Sequence, residues 1–344
     1  MGFPAAARFA HECIELCVTG IICYTWAMAD APKPTPIPSA LKKWIIAARP
    51  WAFPASTMPV VFGTALAVVM GAALFSPLMF LWAIATMVIL HSAANMLSDA
   101  FDFRHGLDRE VTPASGAVVR GWLSDRHVFR GAVGLFALGG VSGLLIARLA
   151  GPSLFIVGGV GLAVGICYTV LKGRALGDFA VFLDFGLLGA AGAWIVQTGS
   201  FSWLPVIWTV PMAMLVSAIL HANNWRDIGS DGERRVQTVA GRLGDHGALV
   251  YYGLLLFAPF VIDLILIAVP RILRGPIRPM PLTFLVVLFA LPSAFRLWGR
   301  AVRRAAPRRP LDFVILDAAT AGHNLVFGLL TTAAVILEGL LRLG

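Results

Sequence analysis

Apolar runs close to twenty residues long recur along most of this 344-residue chain, and they leave little choice of fold. A run of that length crosses the hydrocarbon core of a bilayer as a helix. The composition agrees: 58% of residues are hydrophobic, 13% are charged, and the mean hydropathy is +0.82. No water-soluble domain of this size buries that much apolar surface. Alternating ten-residue segments, the mark of a membrane β-barrel, do not occur. The expected fold class is therefore an all-α polytopic membrane protein with about nine transmembrane helices. Their approximate limits are 52–74, 77–98, 128–149, 153–171, 178–198, 203–222, 248–269, 281–299 and 312–341.

Ahead of the first span, Lys42-Lys43-Trp44 through Arg49-Pro50-Trp51 has the makings of an interfacial amphipathic helix. Tryptophan rings anchor at headgroup level and lysines snorkel. Residues 1–40 read as a poorly structured extension, with residues 41–344 as the membrane domain. The stretch 11–28 carries His11, Glu12 and Glu15, lacks a strongly basic lead, and runs into Pro32, Pro34, Pro36 and Pro38, which argues against a signal peptide.

The net charge is +9 and the pI about 10.0. The basic residues lie mostly in the loops, where topology and lipid headgroups account for them. They lack the aromatic interleaving that stacks bases, so no nucleic-acid partner is expected. With the N-terminus in the cytoplasm, only Arg148, Arg271, Arg274, Arg278 and Arg342 of the 27 Lys and Arg face the far side. That skew supports an N-in arrangement in the cell inner membrane, with the lipid bilayer as a constant partner. Of the four cysteines, Cys13 and Cys17 would share a helix face, but no second Cys/His pair at zinc-ligand spacing joins them; with Cys23 and Cys167 they read as small apolar fillers.

Two polar stretches interrupt the apolar chain, each at the C-terminal end of a span. The first holds Asn95, Ser98, Asp99 and Asp102, continuing to Gly106 and Asp108; the second holds Asn223, Asn224, Arg226, Asp227 and Asp231. Carboxylates at a membrane edge are costly and usually mark function. Four spans separate the two stretches, an even number, so both face the cytoplasm. A faint repeat, Ile89-Leu90-His91 and Ile219-Leu220-His221, precedes them and is consistent with a duplicated four-helix unit.

If helix continues through each stretch, Asn95, Asp99 and Asp102 project from one face, and Asn224, Asp227 and Asp231 from another. Two carboxylates ~6 Å apart repel by ~3 kcal/mol at an effective dielectric near 20. Four converging acids stay ionised only with cations between them, and hard oxygen ligands favour Mg²⁺ completed by phosphate oxygens. Arg226, Lys172 beside Tyr168, Thr169 and Arg174, and Arg104 and Arg109 are placed to neutralise a phosphate. His91, His221 and His323 read as buried hydrogen-bonded histidines, and Gly186, Gly189 and Gly192 as sites of close helix packing.

Over roughly residues 45–340 the chain resembles the UbiA superfamily of intramembrane prenyltransferases. The first stretch is similar to that family's first aspartate-rich motif. The second, followed by Thr238 and Arg242-Leu243-Gly244, resembles the menaquinone-biosynthesis branch, as do Ala48-Arg49-Pro50-Trp51, Tyr168-Thr169 with Lys172, and Gln197-Thr198-Gly199. Ser98 stands where the family often has asparagine. Arg235-Val236 stand where the branch often has Gly-Lys, so a diphosphate contact there is either lost or moved to Arg234 or Arg235.

The resemblance implies helices around a central cavity and transfer of a polyprenyl group from its diphosphate to 1,4-dihydroxy-2-naphthoate with decarboxylation. The expected catalytic and Mg²⁺-binding residues are Asp99, Asp102, Asp227 and Asp231, with Asn95 also a metal ligand. The expected substrate-binding residues are Asn95, Tyr168, Lys172, Asn223, Asn224, Arg226 and Arg104. Alternatives are another acceptor within the superfamily (4-hydroxybenzoate, haem, homogentisate or an archaeal lipid precursor), or a transporter or lipid-binding protein. Carriers, however, place their acids near mid-bilayer, not at span ends.

Overall fold

The computed structural model describes residues 38–106, 111, 116–233, 236–274, 278–304, 313 and 315–343. The expectations for residues 1–37, Asp108, Arg109, Arg234 and Arg235 fall outside them.

Among the described residues the chain is helical, with one isolated bridge, between Arg174 and Gln237. Helix α1 (Ala40–Ala48) is capped by the Ser39 hydroxyl, which accepts from the Lys42 amide. It leaves Leu41, Trp44 and Ile45 exposed, as an interfacial helix should. A 3₁₀ turn (Pro50–Ala52) joins it to α2 (Pro54–Met70), and the pair is bent by 59°. The later helices are α3 (Pro77–Arg104), α4 (Asp125–Ala150), α5 (Pro152–Lys172), α6 (Gly177–Thr198), α7 (Trp203–Arg226), α8 (Ile228–Glu233), α9 (Val239–Leu273), α10 (Leu282–Val302) and α11 (Leu316–Leu343). Prolines open α2, α3 and α5, where a missing N–H costs nothing. Ser124, Ser202 and Thr238 cap α4, α7 and α9 through their hydroxyls.

Among the described residues, eight helices are long and apolar enough to cross a membrane, or nine if the bent α1–α2 pair counts as one span. The nine expected spans therefore all find a helix. Two differ in character. The tenth helix begins as a 3₁₀ stretch (Leu282–Ala290), and α6 holds a π-helical stretch (Phe182–Leu188) in its middle.

The bundle packs α3 on α4, α7 on α9, α2 on α6, and α11 on α2, α7 and α10. Its interior holds Phe62, Trp225, Tyr252, Phe284 and Phe327, all fully buried. Outward-facing Leu138, Ile156 and Phe289 are more than half exposed and meet the acyl chains. Of the three α6 glycines expected to permit close packing, Gly186 does so. A Cβ there would collide with Ala213 of α7. Gly189 and Gly192 instead line an apolar cavity, where an added Cβ would meet only ordinary contacts.

Candidate active site

Both acidic stretches open onto one cavity of about 1350 Å³, counted out to its mouth. The even span count required them to share a side, and the fold brings them to one chamber.

On the first side α3 runs unbroken through the motif to Arg104. Asn95 and Asp102 line the cavity. The Asn95 amide donates to the Ala48 carbonyl (2.9 Å), and Ser98 Oγ donates to Asp102 Oδ2 (3.2 Å). Ser98, the departure from the family pattern, thus orients the carboxylate one turn on. Lys172, at the end of α5, donates its Nζ to the same oxygen at 3.2 Å.

Asp99 does not reach the cavity, contrary to its expected role as a metal ligand. It is fully buried. The Arg49 guanidinium lies 3.4 Å from Oδ1, and the Val118 amide donates to Oδ2 at 3.2 Å. A Cβ on Gly116 would collide with this carboxylate, so the turn at 116–118 closes over it. Residues at i, i+4 and i+7 spread over a face wide enough for the middle one to be claimed by a neighbour. Arg104 is a second correction: it pairs with Asp125 (2.7 Å) and lies over Phe129, away from the cavity.

On the second side the helix does not continue. It stops at Arg226, Asp227 forms its C-cap (φ −99°, ψ 11°), and the short α8 carries Asp231. Asn223, Arg226, Asp227 and Asp231 line the cavity. Asn224, expected there, points away: it is buried, with Nδ2 3.5 Å from Asp178 Oδ1. The cavity amide is therefore Asn223, whose oxygen accepts from Arg226. The Arg226 guanidinium also donates to both oxygens of Asp227 (3.2 and 2.8 Å) and to Asp317 Oδ2 (3.1 Å). The Gln237 amide donates to the Gly173 carbonyl (3.2 Å), tying the loop after α8 to the loop after Lys172.

Three lining groups were not singled out in the sequence. Asp317 heads α11 far from either motif, and Arg49 lay in a segment noted as an interfacial helix and for its resemblance, not as part of the site. The third, Asp184, is a lone acid inside a span, a signal that intramembrane position alone supplies. His91 also lines the cavity: Nδ1 is 2.7 Å from Ser56 Oγ, and its ring sits 4.4 Å, centroid to centroid, from Phe185. His221 and His323 are buried structural histidines, near Ala248 and Ser293 respectively. Cys167 is a free, exposed thiol.

Among the described residues no three His, Cys, Asp or Glu side chains surround one metal position. The donor set still suits Mg²⁺, which keeps waters and binds through one or two carboxylates plus substrate phosphates rather than in an all-protein cage. Asp102, Asp227 and Asp231 are oxygen donors on one wall system, with Lys172 and Arg226 beside them.

A model of the UbiA prenyltransferase family matches residues 56–316. The chain belongs to the UbiA prenyltransferase family. Among relatives of this family, the mouse protein called UbiA prenyltransferase domain-containing protein 1 is 32% identical over 300 residues, covering 86% of this chain and 84% of its own. The zebrafish protein of that name is 34% identical over 259 residues, covering 74% and 75%. A UbiA homolog from Archaeoglobus fulgidus, solved bound to GPP and Mg²⁺, shares the fold with a TM-score of 0.56 at 14% identity, covering 85% of this chain and 99% of that one. This UbiA family member is thus a multi-pass membrane prenyltransferase.

Proposed function

We propose that the protein transfers a polyprenyl group from its diphosphate to a hydroxylated aromatic acceptor, with Mg²⁺ as cofactor. The observation that carries this reading is the pairing of two cavities. The polar chamber with Asp102, Asp227 and Asp231 adjoins an apolar one of about 1150 Å³, and the two share Ala94, Gly165, Asp184 and Phe185 in their walls. A charged head fits the first and a hydrocarbon tail the second. The relative from Archaeoglobus fulgidus supports the substrate class, having been solved with GPP and Mg²⁺.

Asp102, Asp227, Asp231 and Asn95 would hold the metal, which when bound neutralises charge on the departing diphosphate. Lys172 and Arg226 stand where they contact diphosphate oxygens, and Arg49 adds a third cation to the wall. Asp317 and Asp227 hold the Arg226 fork, so that it presents a fixed orientation. Ionisation of the C–O bond leaves an allylic cation. Phe185, Tyr168 and Trp51 offer aromatic faces to it and exclude water. An electron-rich ring carbon then attacks.

The motif resemblance favours 1,4-dihydroxy-2-naphthoate as acceptor, with carbon dioxide leaving the attacked ring position to restore aromaticity. The relatives matched here carry a different name, which makes the acceptor the point to test. The Lys and Arg skew supports a cytoplasmic opening for the site.

The experiment is purified protein with Mg²⁺, one prenyl diphosphate and a panel of aromatic acceptors, read by mass spectrometry. The expected result is a prenylated, decarboxylated naphthoquinol. Prenylation of another phenol alone would move the assignment elsewhere in the superfamily. No product with any acceptor would overturn it.

A further inference from the structure

Asp184 lies seven residues into the membrane span α6, within its π-helical stretch, and lines both cavities. Among the described residues no hydrogen bond or ion pair engages its carboxyl. A carboxyl at this depth is costly unless something bound there uses it. The fold keeps room for it. A Cβ on Gly161 of α5 would stand 2.8 Å from Oδ1, and one on Gly165 3.8 Å from Oδ2. The backbone cannot easily turn the group elsewhere, because Gly186, two residues on, is pressed against Ala213. A π-helical insertion at such a place is a recurrent feature of functional sites.

The surroundings define the occupant. Gly161, Gly165, Tyr168 and Lys172 follow one another down a single face of α5. Gly165 lies about 10 Å of helix rise from Lys172, where the diphosphate is proposed to sit. Beside Asp184, Phe185 and the His91 ring lie 4.4 Å apart and offer flat aromatic surface to the same chamber. A hydrocarbon tail has no use for a carboxyl. A flat ring carrying a hydroxyl, placed with its reacting carbon toward the diphosphate, would bring that hydroxyl to this depth.

We propose that Asp184 is a specificity-determining residue that accepts a hydrogen bond from a hydroxyl of the aromatic acceptor, at the junction of the polar and apolar cavities. The proposal rests on the reading that the acceptor is a hydroxylated aromatic, and its test does not depend on turnover.

Binding of 2-naphthol and of 2-methoxynaphthalene is compared in wild type, Asp184→Val and Asp184→Asn. Purified protein is used with Mg²⁺ and a non-reacting prenyl thiolodiphosphate, and cavity tryptophan fluorescence is the readout. The ether cannot donate. Both probes partition into detergent, so the ratio of the two affinities is compared between proteins. The expected preference for the naphthol is about tenfold in wild type. It collapses to near unity in Asp184→Val and is partly kept in Asp184→Asn, which retains an acceptor oxygen, while binding of the thiolodiphosphate is unchanged.

An equal preference in wild type and Asp184→Val overturns the proposal, as does binding of neither probe. Loss of thiolodiphosphate affinity in Asp184→Val also overturns it, since the residue would then serve the prenyl chain. Failure of the function reading appears separately, as absence of prenylated product in the acceptor panel.

Discussion

At the first acidic end the helix runs on past Asn95 for two turns and its carboxylates part company, Asp102 to the cavity and Asp99 to Arg49. At the second the helix stops at Arg226, and a C-cap followed by a one-turn helix directs Asp227 and Asp231 the same way. The charge that balances each end also differs in origin. Asp102 takes its cation from another helix, Lys172 of α5, whereas Asp227 is held by its own neighbour Arg226, which Asp317 steadies. Similar residue types thus reach one chamber by an assembled route on one side and a self-contained route on the other.

The largest test of this comparison removes a cavity carboxylate from each end. Asp102→Ala and Asp231→Ala should each lower pyrophosphate release by about 10²–10³-fold, and chelation should abolish wild-type activity until Mg²⁺ is returned. A large loss at only one end would mean that a single cluster does the work.

Next, Arg226→Met takes a buried cation away from Asp227 and Asp317, a change of the kind that costs about 3–5 kcal/mol. Its thermal unfolding in detergent should fall well below that of Lys172→Met, which breaks a single contact across helices. Adding Asp317→Asn should recover part of the loss.

A finer separation concerns the two acids of α3. Asp99→Asn should lower the unfolding temperature yet keep the Mg²⁺ concentration for half-maximal rate within about twofold, because Asp99 faces Arg49. Asp102→Asn should raise that concentration by about tenfold, as loss of a charged metal ligand requires. Titrations of rate against Mg²⁺ decide it, and equal shifts would put Asp99 back among the ligands. The smallest effect belongs to Arg104→Ala. Its pair with Asp125 is solvent-exposed, so both rate and unfolding temperature should match wild type.

Most of the fold was legible because hydrophobic run length and loop charge are local properties. The nine apolar runs each became a helix, and parity put both acidic stretches on one side, while the fold brought them to one cavity. The site was legible to the level of segments and less so to the level of side chains. Asn223 and Asn224 are adjacent, and on a helix neighbours point about 100° apart. Which one faces the chamber depends on how α7 is rotated, and that is set by tertiary packing. The break after Arg226 carries no Gly or Pro to announce it. Asp317 and Arg49 arrive from opposite ends of the chain, and no spacing rule connects them. Asp99 illustrates the converse: helical periodicity placed it correctly within α3, but the 116–118 turn and Arg49 claimed it.

The junction of α1 and α2 has a practical consequence for anyone shortening or tagging this chain. Through the Ala48 carbonyl and the Arg49 guanidinium, the surface segment is fastened to Asn95 and Asp99. Ser39 caps that segment, so a cut beyond it loosens the helix that carries both contacts. A truncation ten residues further in would remove Ala48 and Arg49, and with them a wall residue of the cavity and a cation beside Asp99.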